Sequence, residues 1–507
     1  MRKPFRVIVF GNTIIVVLIV TYFLLIPAGT VFHALADAEL RSGRVPRFVF
    51  RWHQSLSQRI EIWARQRVAS GRAARLNYTN VSGTEWPVFS SVFYLWGTEA
   101  LQEAWDRDAS LAPVMPRQYA RGAIEAVAEL VADSNHGAWV RKWWGDSYLR
   151  RENLFYRMLL IGGLTSYQRL SRDHKYEVLL RDQVVGLGRE IDESPFGLLD
   201  DYPGQCYPVD VLTAIAAIQH ADDVIGTDHR AFVERARRGF QGARLDAETN
   251  LPAWVADSKT GDGMGSARGV GLAFMLCWVP TLWPDVARLW YPEFEKQFWQ
   301  EGRFLAGFRE YPRDDQVAKN WMYDVDAGPV LGGYGTAASA FGIGAARANG
   351  QLNHAYSLSE EALVAAWPLP DGRLLLPSLL SNLSDAPLTG EAALLFSLTR
   401  TPANGVAVIP CSTKRGYLPL ILYGGSGIAL LALVAERARR WERRGSSWII
   451  PVFSFQVYLW LGLIGGGIIL MLLSRELAAV LSLFFAQLLP AARKQTGRLD
   501  VARTGPE

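Results

Sequence analysis

Apolar residues recur at helical spacing through most of this chain, and the pattern changes character twice. Val7 to about Gly29 is an almost unbroken apolar run, long enough for a membrane-spanning helix. From about residue 77 to 398, apolar segments alternate with polar loops: 88–105, 117–133, 153–170, 175–191, 208–225, 229–240, 269–282, 284–302, 330–348, 353–366 and 388–398. Strand alternation and βαβ spacing are rare there, so the period is helical. Long apolar runs return at Leu418–Ala435 and Ile449–Leu473, with a shorter one at Leu477–Leu489. The pattern predicts an all-α protein: a helical toroid, with an (α/α)6 barrel as the leading architecture, and N- and C-terminal transmembrane helices.

Four regions follow: an N-terminal membrane anchor (1–29), a basic amphipathic linker (30–76), a helical domain (77–412), and a C-terminal membrane region with two or three apolar helices and a basic tail (413–507). The first run exceeds the usual 7–15 residue apolar core of a cleavable signal, which favours an uncleaved anchor. In the linker, Arg41, Arg44, Arg47, Arg51, Arg59, Arg65, Arg67, Arg72 and Arg75 interleave with Phe48, Phe50, Trp52, Leu56, Ile60, Ile62 and Trp63. Such a helix either lies along a membrane surface or packs on the domain with its arginines solvated. Glycines at 462 and 465–467 predict close helix contact in the C-terminal region.

Charge then orients the chain. Arg2, Lys3 and Arg6 precede the first run, and Arg437, Arg439, Arg440, Arg443 and Arg444 follow the Leu418–Ala435 run. Positive residues stay on the cytoplasmic side. The N-terminus and the 436–447 loop are therefore expected inside, and the large domain outside a bacterial plasma membrane, in the periplasm of a Gram-negative cell. The net charge of +4 has its basic excess beside the apolar runs, which points to a lipid bilayer and not to nucleic acid as a partner. Cys206, Cys277 and Cys411 form no CxxC, and the seven histidines form no HxxxH or HExxH. Neither a disulfide framework nor a metal site is expected, and no cofactor.

Chemistry concentrates in Gly197-Leu-Leu-Asp-Asp-Tyr-Pro-Gly-Gln-Cys-Tyr-Pro-Val-Asp210. Pro203-Gly204 fits the centre of a type II turn. Pro208 suits a first helical turn, and Asp210 the positive end of that helix. Turn and cap chemistry leaves Asp200, Asp201, Tyr202, Cys206 and Tyr207 unexplained. Other polar groups stand at helix entrances: Glu85 in Glu-Trp-Pro before the first domain helix, Tyr156 after Arg151-Glu152-Asn153, Arg268 in a glycine-rich loop, and Asp324 and Asp326 before Leu331-Gly-Gly-Tyr-Gly-Thr336. The glycine-rich loop lacks the Gly-Lys-Ser/Thr ending of a phosphate-binding loop. Arg268 there suits an anion or a carboxylate, or a salt bridge flanking the helix. In a toroid, loops of this kind gather at one end.

Trp144-Gly-Asp146, Glu152-Asn153, Tyr156, Ser194-Pro-Phe-Gly197, Gly226-Thr-Asp228, Tyr291-Pro292 and the glycine-rich 326–341 region form a collinear series over roughly residues 80–400. In this series the domain resembles the linalool dehydratase-isomerase family. The resemblance implies an (α/α)6 barrel and cofactor-independent removal of water from, or isomerisation of, an allylic alcohol. The family's two site cysteines, nine residues apart, fall on Asp201 and Asp210. Its active-site histidine falls on Leu159 and a site tyrosine on Arg268. The terminal membrane segments lie outside the match.

Two carboxylates in one pocket do not ionise equally, and the protonated member can donate to a leaving oxygen. Asp201 and Asp210 are the candidate catalytic pair. Tyr202, Cys206, Tyr207, Arg268, Asp326, Glu85 and Tyr156 are the candidate substrate-binding residues. The pair suits a hydro-lyase or isomerase acting on a hydroxylated, isoprenoid or lipidic small molecule. It equally suits an envelope glycan hydrolase or lyase. A non-catalytic binding or assembly module is the third reading.

Overall fold

The computed structural model describes residues 11, 13–76, 80–302, 305–315, 321–381, 384–413, 420–443, 448–449 and 455–472, and short pieces at 478, 481–482, 485–486 and 493–494. It is mostly helical and divides into two compact units, residues 31–416 and residues 1–30 with 417–507.

Each of the eleven apolar segments between residues 88 and 398 contains helix. Six helices of the larger unit form a closed series: α1 (Val81–Arg107), α2 (Leu154–Ser171), α3 (Pro208–Ile225), α4 (Gly269–Met275), α5 (Thr336–Ala348) and α6 (Thr389–Thr399). Each packs on the next, and α6 packs back on α1. Helices Arg121–Ala132, Glu177–Glu193, Leu352–Ala366 and Leu375–Ser381 pack against members of this ring. Close packing needs small residues where helices cross. At Gly162 of α2 an added Cβ would lie 2.6 Å from the Trp96 ring of α1. Aromatic rings from several ring helices meet, with centroids 5.2 Å apart for Phe93 and Phe396, 5.1 Å for Phe274 and Phe341, and 4.9 Å for Trp96 and Trp278.

The segment expected as a basic linker belongs to this unit. Its helix, Arg47–Ala69, buries Val49, Phe50, Trp52, Leu56, Ile60 and Ala64 and packs on Arg121–Ala132. Of its two expected placements, packing on the domain is the one found. His53, on the buried face, bonds Tyr119 Oη (2.6 Å) and Thr98 Oγ1 (2.8 Å), and burial pushes its imidazole down to about 3, leaving it neutral.

Helix α1 starts earlier than expected. It runs from Val81 and contains Glu85 and Pro87, instead of following them. Proline lacks the N–H that would bond the carbonyl four residues back. That carbonyl, of Gly83, accepts instead from Nη2 of the buried Arg67. A guanidinium thus mends the first turns of the helix that presents Glu85.

Short antiparallel hairpins, unexpected from the sequence, connect the later helices: Val255–Ala256 with Gly263–Met264, Trp299–Glu301 with Ala306–Phe308, and a three-stranded piece over Met322–Asp324, Gly328–Leu331 and Tyr334–Gly335. Residues 330–335, expected at the start of a helix, belong to the last of these.

The helix over Thr13–Ala36, which begins in the smaller unit and ends in the larger, is long and apolar enough to cross a membrane, the one such helix among the described residues. It includes a π-helical turn, Thr21–Leu25, packed on a second, Leu420–Gly425. Helices Ser426–Arg443 and Phe455–Leu472 follow. Of the glycines expected in close contact there, an added Cβ at Gly466 would meet Ser482 Oγ at 3.9 Å, and at Gly462 and Gly465 it would meet nothing within 4 Å among the described residues. Most of Leu477–Leu489, and Arg2, Lys3, Arg6 and Arg444, lie outside the described residues.

Candidate functional site

The loop 197–210 folds as its turn residues dictate. Gly204 takes φ +78°, and Gln205 N–H donates to Tyr202 O at 2.8 Å, closing a turn at Pro203-Gly204. Asp201 N–H donates to Gln205 O (2.9 Å), and Trp144 Nε1 donates to Asp201 O (3.1 Å). Cys206 O accepts from Ala256 N–H at 2.9 Å, tying the loop to the first hairpin. Pro208 opens α3 as expected, with Tyr207 as its N-cap residue.

The three acids of this loop take different parts. Asp200 is structural: Oδ2 accepts from Gly204 N–H (2.7 Å) and Oδ1 from Ser258 Oγ (2.6 Å). Asp201, 2% exposed, accepts from Tyr207 N–H through Oδ2 (2.8 Å). The N–H of Phe155, in the first turn of α2, also acts on it, while Oδ1 has no hydrogen-bond partner. Asp210 sits in the first turn of α3, whose N-cap N–H, that of Tyr207, goes to Asp201 instead. Burial first, and then the charge of Asp210, hold the Asp201 carboxyl well above the usual range. Burial, followed by Glu85 and Asp326, does the same to Asp210. Asp210 keeps partial solvent access despite these crowded surroundings.

Glu85 joins the pair from α1. The Tyr202 hydroxyl donates a short hydrogen bond to Glu85 Oε1. Burial raises this carboxyl to about 7, opposed by the Tyr202 bond and reinforced by Asp326. Asp326 is exposed on the three-stranded piece, its own carboxyl raised by partial burial and by Asp324. Tyr207 feels all four acids: burial, then Asp326, Asp201, Asp210 and Glu85, push its phenol up to about 12. The structure therefore brings Glu85, Asp201, Tyr202, Tyr207, Asp210 and Asp326 together.

Three expected binding residues stand elsewhere or do something else. Cys206 is fully buried, and burial together with Asp201, Asp200 and Asp210 pushes its thiol well up. A neutral, enclosed thiol packs and does not react. Tyr156 is 2% exposed, and the groups acting on its hydroxyl are Tyr148, Asp133 and Arg141, not the carboxylate cluster. It backs Trp139, which stands 6.1 Å from the Tyr202 ring. Arg268 makes the flanking salt bridge: Nε to Glu310 Oε1 (2.7 Å) and Nη2 to Asp324 Oδ2 (3.1 Å). Its guanidinium also covers the rings of Trp254 (4.8 Å) and Tyr311 (5.2 Å). It fastens the strand carrying Asp324, two residues before Asp326, and is not left free for an anion.

Sequence reasoning missed the walls. Phe89, one helical turn after Glu85, lies 5.8 Å from Phe155 and 5.9 Å from Phe274. Phe89 and Phe155 both remain partly accessible. Four-residue spacing from Glu85 was the available signal. Trp254 stands edge-on to Tyr207 at 5.5 Å, and Trp143 to Tyr202 at 5.9 Å. Asn153 and Arg157, which share a face of α2, are buried; Arg157 bonds Gln183 Oε1 and Glu190 Oε1, each at 2.9 Å. Glu152 and Asn153 both take left-handed backbone, φ +37° and +51°, where a non-glycine residue is strained. The strained corner lets Leu154 N–H reach Asp200 O at 3.2 Å, which docks α2 on the acidic loop.

Among the described residues no group of three or more His, Cys, Asp or Glu is arranged to hold a metal ion. What the arrangement offers is proton chemistry: acids of unequal proton affinity over an aromatic floor. No family model matches the chain, and no curated protein matches it.

Proposed function

We propose that the larger unit is an (α/α)6 barrel carrying an acid/base hydro-lyase or isomerase of the linalool dehydratase-isomerase type, held at a bacterial plasma membrane with its site on the extracytoplasmic face. The closed series of six helices supports the barrel. The apolar helix Thr13–Ala36 supports the anchor. The observation that carries the chemistry is Asp210: a partly accessible carboxyl in the first turn of α3, whose N-cap N–H is taken by Asp201, crowded by Asp201, Glu85 and Asp326.

In this reading the roles divide by environment. Asp201 accepts backbone N–H groups, which favour its charged form. Asp210, without such donors, keeps the proton and gives it to the leaving hydroxyl of the substrate. The C–O bond breaks and water departs. Glu85, held near neutrality, takes a proton from the neighbouring carbon, and a C=C bond forms. Asp201, deeply buried, acts by holding the proton on Asp210. Phe89 and Phe155 cover the apolar part of the substrate and face the charge that develops on carbon. General acid/base assistance of this kind is worth about 10²–10⁴-fold.

A second reading is an envelope glycan hydrolase, favoured by Trp139, Trp143, Tyr202, Tyr207 and Trp254 bordering the carboxylates. One experiment separates the two. The detergent-solubilised protein and an Asp201→Asn/Asp210→Asn variant are incubated in ¹⁸O-water with allylic alcohols, lipid-linked sugars and envelope glycans. Loss of water from an alcohol, absent in the variant, supports the lyase. Heavy oxygen in a cleaved product, absent in the variant, supports the hydrolase. Turnover that survives the double substitution removes the carboxylate assignment from both.

A further inference from the structure

We propose that the same carboxylate cluster binds an organic cation, an alkylammonium group, in exchange for a proton. The proposal shares with the enzymatic reading only the meeting of these carboxylates; it does not depend on acid/base turnover.

Charge imbalance is the first argument. Glu85, Asp201, Asp210 and Asp326 act on one another or on Tyr207. Among the described residues, no Lys, Arg or His is among the groups that act on Glu85 or Asp210. Arg268 acts on Asp326, but its guanidinium is already shared between Glu310 and Asp324. The second argument is Asp201 itself. It is 2% exposed, and its Oδ1 has no hydrogen-bond partner. A buried carboxylate oxygen left without a donor is costly, and an ammonium N–H would supply one. Third, two tyrosines that bond the acids carry further rings: Tyr207, whose N–H donates to Asp201, packs on Trp254 at 5.5 Å, and Tyr202, whose hydroxyl donates to Glu85, packs on Trp143 at 5.9 Å. Acids bordered by aromatic faces favour an organic cation.

The exchange balances simply. In the empty site, burial and mutual repulsion keep protons on the carboxyls. When RNH₃⁺ enters, one carboxyl ionises, its proton passes to solvent, and the net charge of the cluster is unchanged. The alkyl part lies against Phe89 and Phe155.

The test is calorimetric titration of the full-length, detergent-solubilised protein at about pH 7, with butylammonium as probe and n-butanol as the uncharged control, in two buffers of different protonation enthalpy. Butylammonium should bind at least about tenfold more tightly than n-butanol. It should release on the order of one proton, and lose at least about tenfold in affinity in Asp210→Asn. Equal binding of the amine and the alcohol, or amine binding without proton release, overturns the proposal. If Asp210→Asn fails to fold, Glu85→Gln reads the same loss. Turnover of neutral alcohols in ¹⁸O-water is scored separately, so failure here and failure of the enzymatic reading are distinguishable.

Discussion

The backbone N–H of Tyr207 donates to Asp201 Oδ2 at 2.8 Å, and this bond releases Asp210. Tyr207 is the N-cap residue of α3, and Asp210 follows three positions later. A carboxylate at that position often reaches back to the N-cap N–H. Asp201 takes the bond first. Asp210 then has no capping role and stands against Glu85 and Asp326 instead.

Glu85 should make stability fall as pH rises. It is held at about 7, above the ordinary 4.5. Between those values its folded form binds more protons than the unfolded one, so each step up in pH costs stability. Asp201 and Asp210, both shifted upward, act in the same direction. Buried, neutral His53 acts the opposite way below its ordinary 6.5, so the parent is compared with Glu85→Gln, in which His53 is unchanged. Between about pH 5 and pH 8 the parent should lose on the order of 1–3 kcal/mol relative to that variant in thermal unfolding. A parent that holds or gains stability relative to the variant across this interval contradicts the shift.

Tyr202→Phe removes the donor that opposes the rise of Glu85. The Glu85 carboxyl should then stay protonated to higher pH than about 7. Infrared titration of the protonated carboxyl band, with Glu85→Gln to assign it, reads the change. An unmoved band would mean that the phenol does not govern this acid.

Arg67 and Pro87 should couple. Arg67→Met leaves the Gly83 carbonyl without the donor that Pro87 cannot provide, at a cost of about 1–3 kcal/mol. Pro87→Ala restores a backbone N–H to that carbonyl. In the double variant the Arg67→Met cost should shrink by more than about 0.5 kcal/mol in denaturant unfolding. Strict additivity would show that the carbonyl does not link the two residues.

Arg268→Met strands the buried Glu310 and frees Asp324. Breaking a buried pair from one side costs about 3–5 kcal/mol. Hydrogen exchange over residues 322–335 should accelerate while the amides of α2 keep their protection. Unchanged exchange there would mean that Arg268 does not fasten the strand beside Asp326.

Much of this was legible because helices repeat. Apolar spacing located the segments that became α1 to α6, and Pro203-Gly204 and Pro208 announced their turn and their helix start. The hairpins were not legible: strands of two to four residues are too short to show alternation. Helix α1 was placed too late because Pro87 reads as a boundary, and the guanidinium that tolerates it comes from another helix. The sequence leaves Arg268 open between an anion, a carboxylate and a flanking salt bridge, because its partner Glu310 lies 42 positions away. The pairing of Asp201 with Asp210 rests on the family resemblance, whose two cysteine positions fall on them. Phe89 and Phe155 became walls only when α1 met α2.

The central claim is that Asp201 and Asp210 form one interacting pair that retains a proton at neutrality. Infrared difference titration of the solubilised protein between about pH 5 and pH 8, with Asp201→Asn and Asp210→Asn compared, tests it most directly. The account predicts a carboxyl band that persists at about pH 7 in the parent and is lost or shifted in either variant. Full ionisation of both residues by about pH 5 would contradict it.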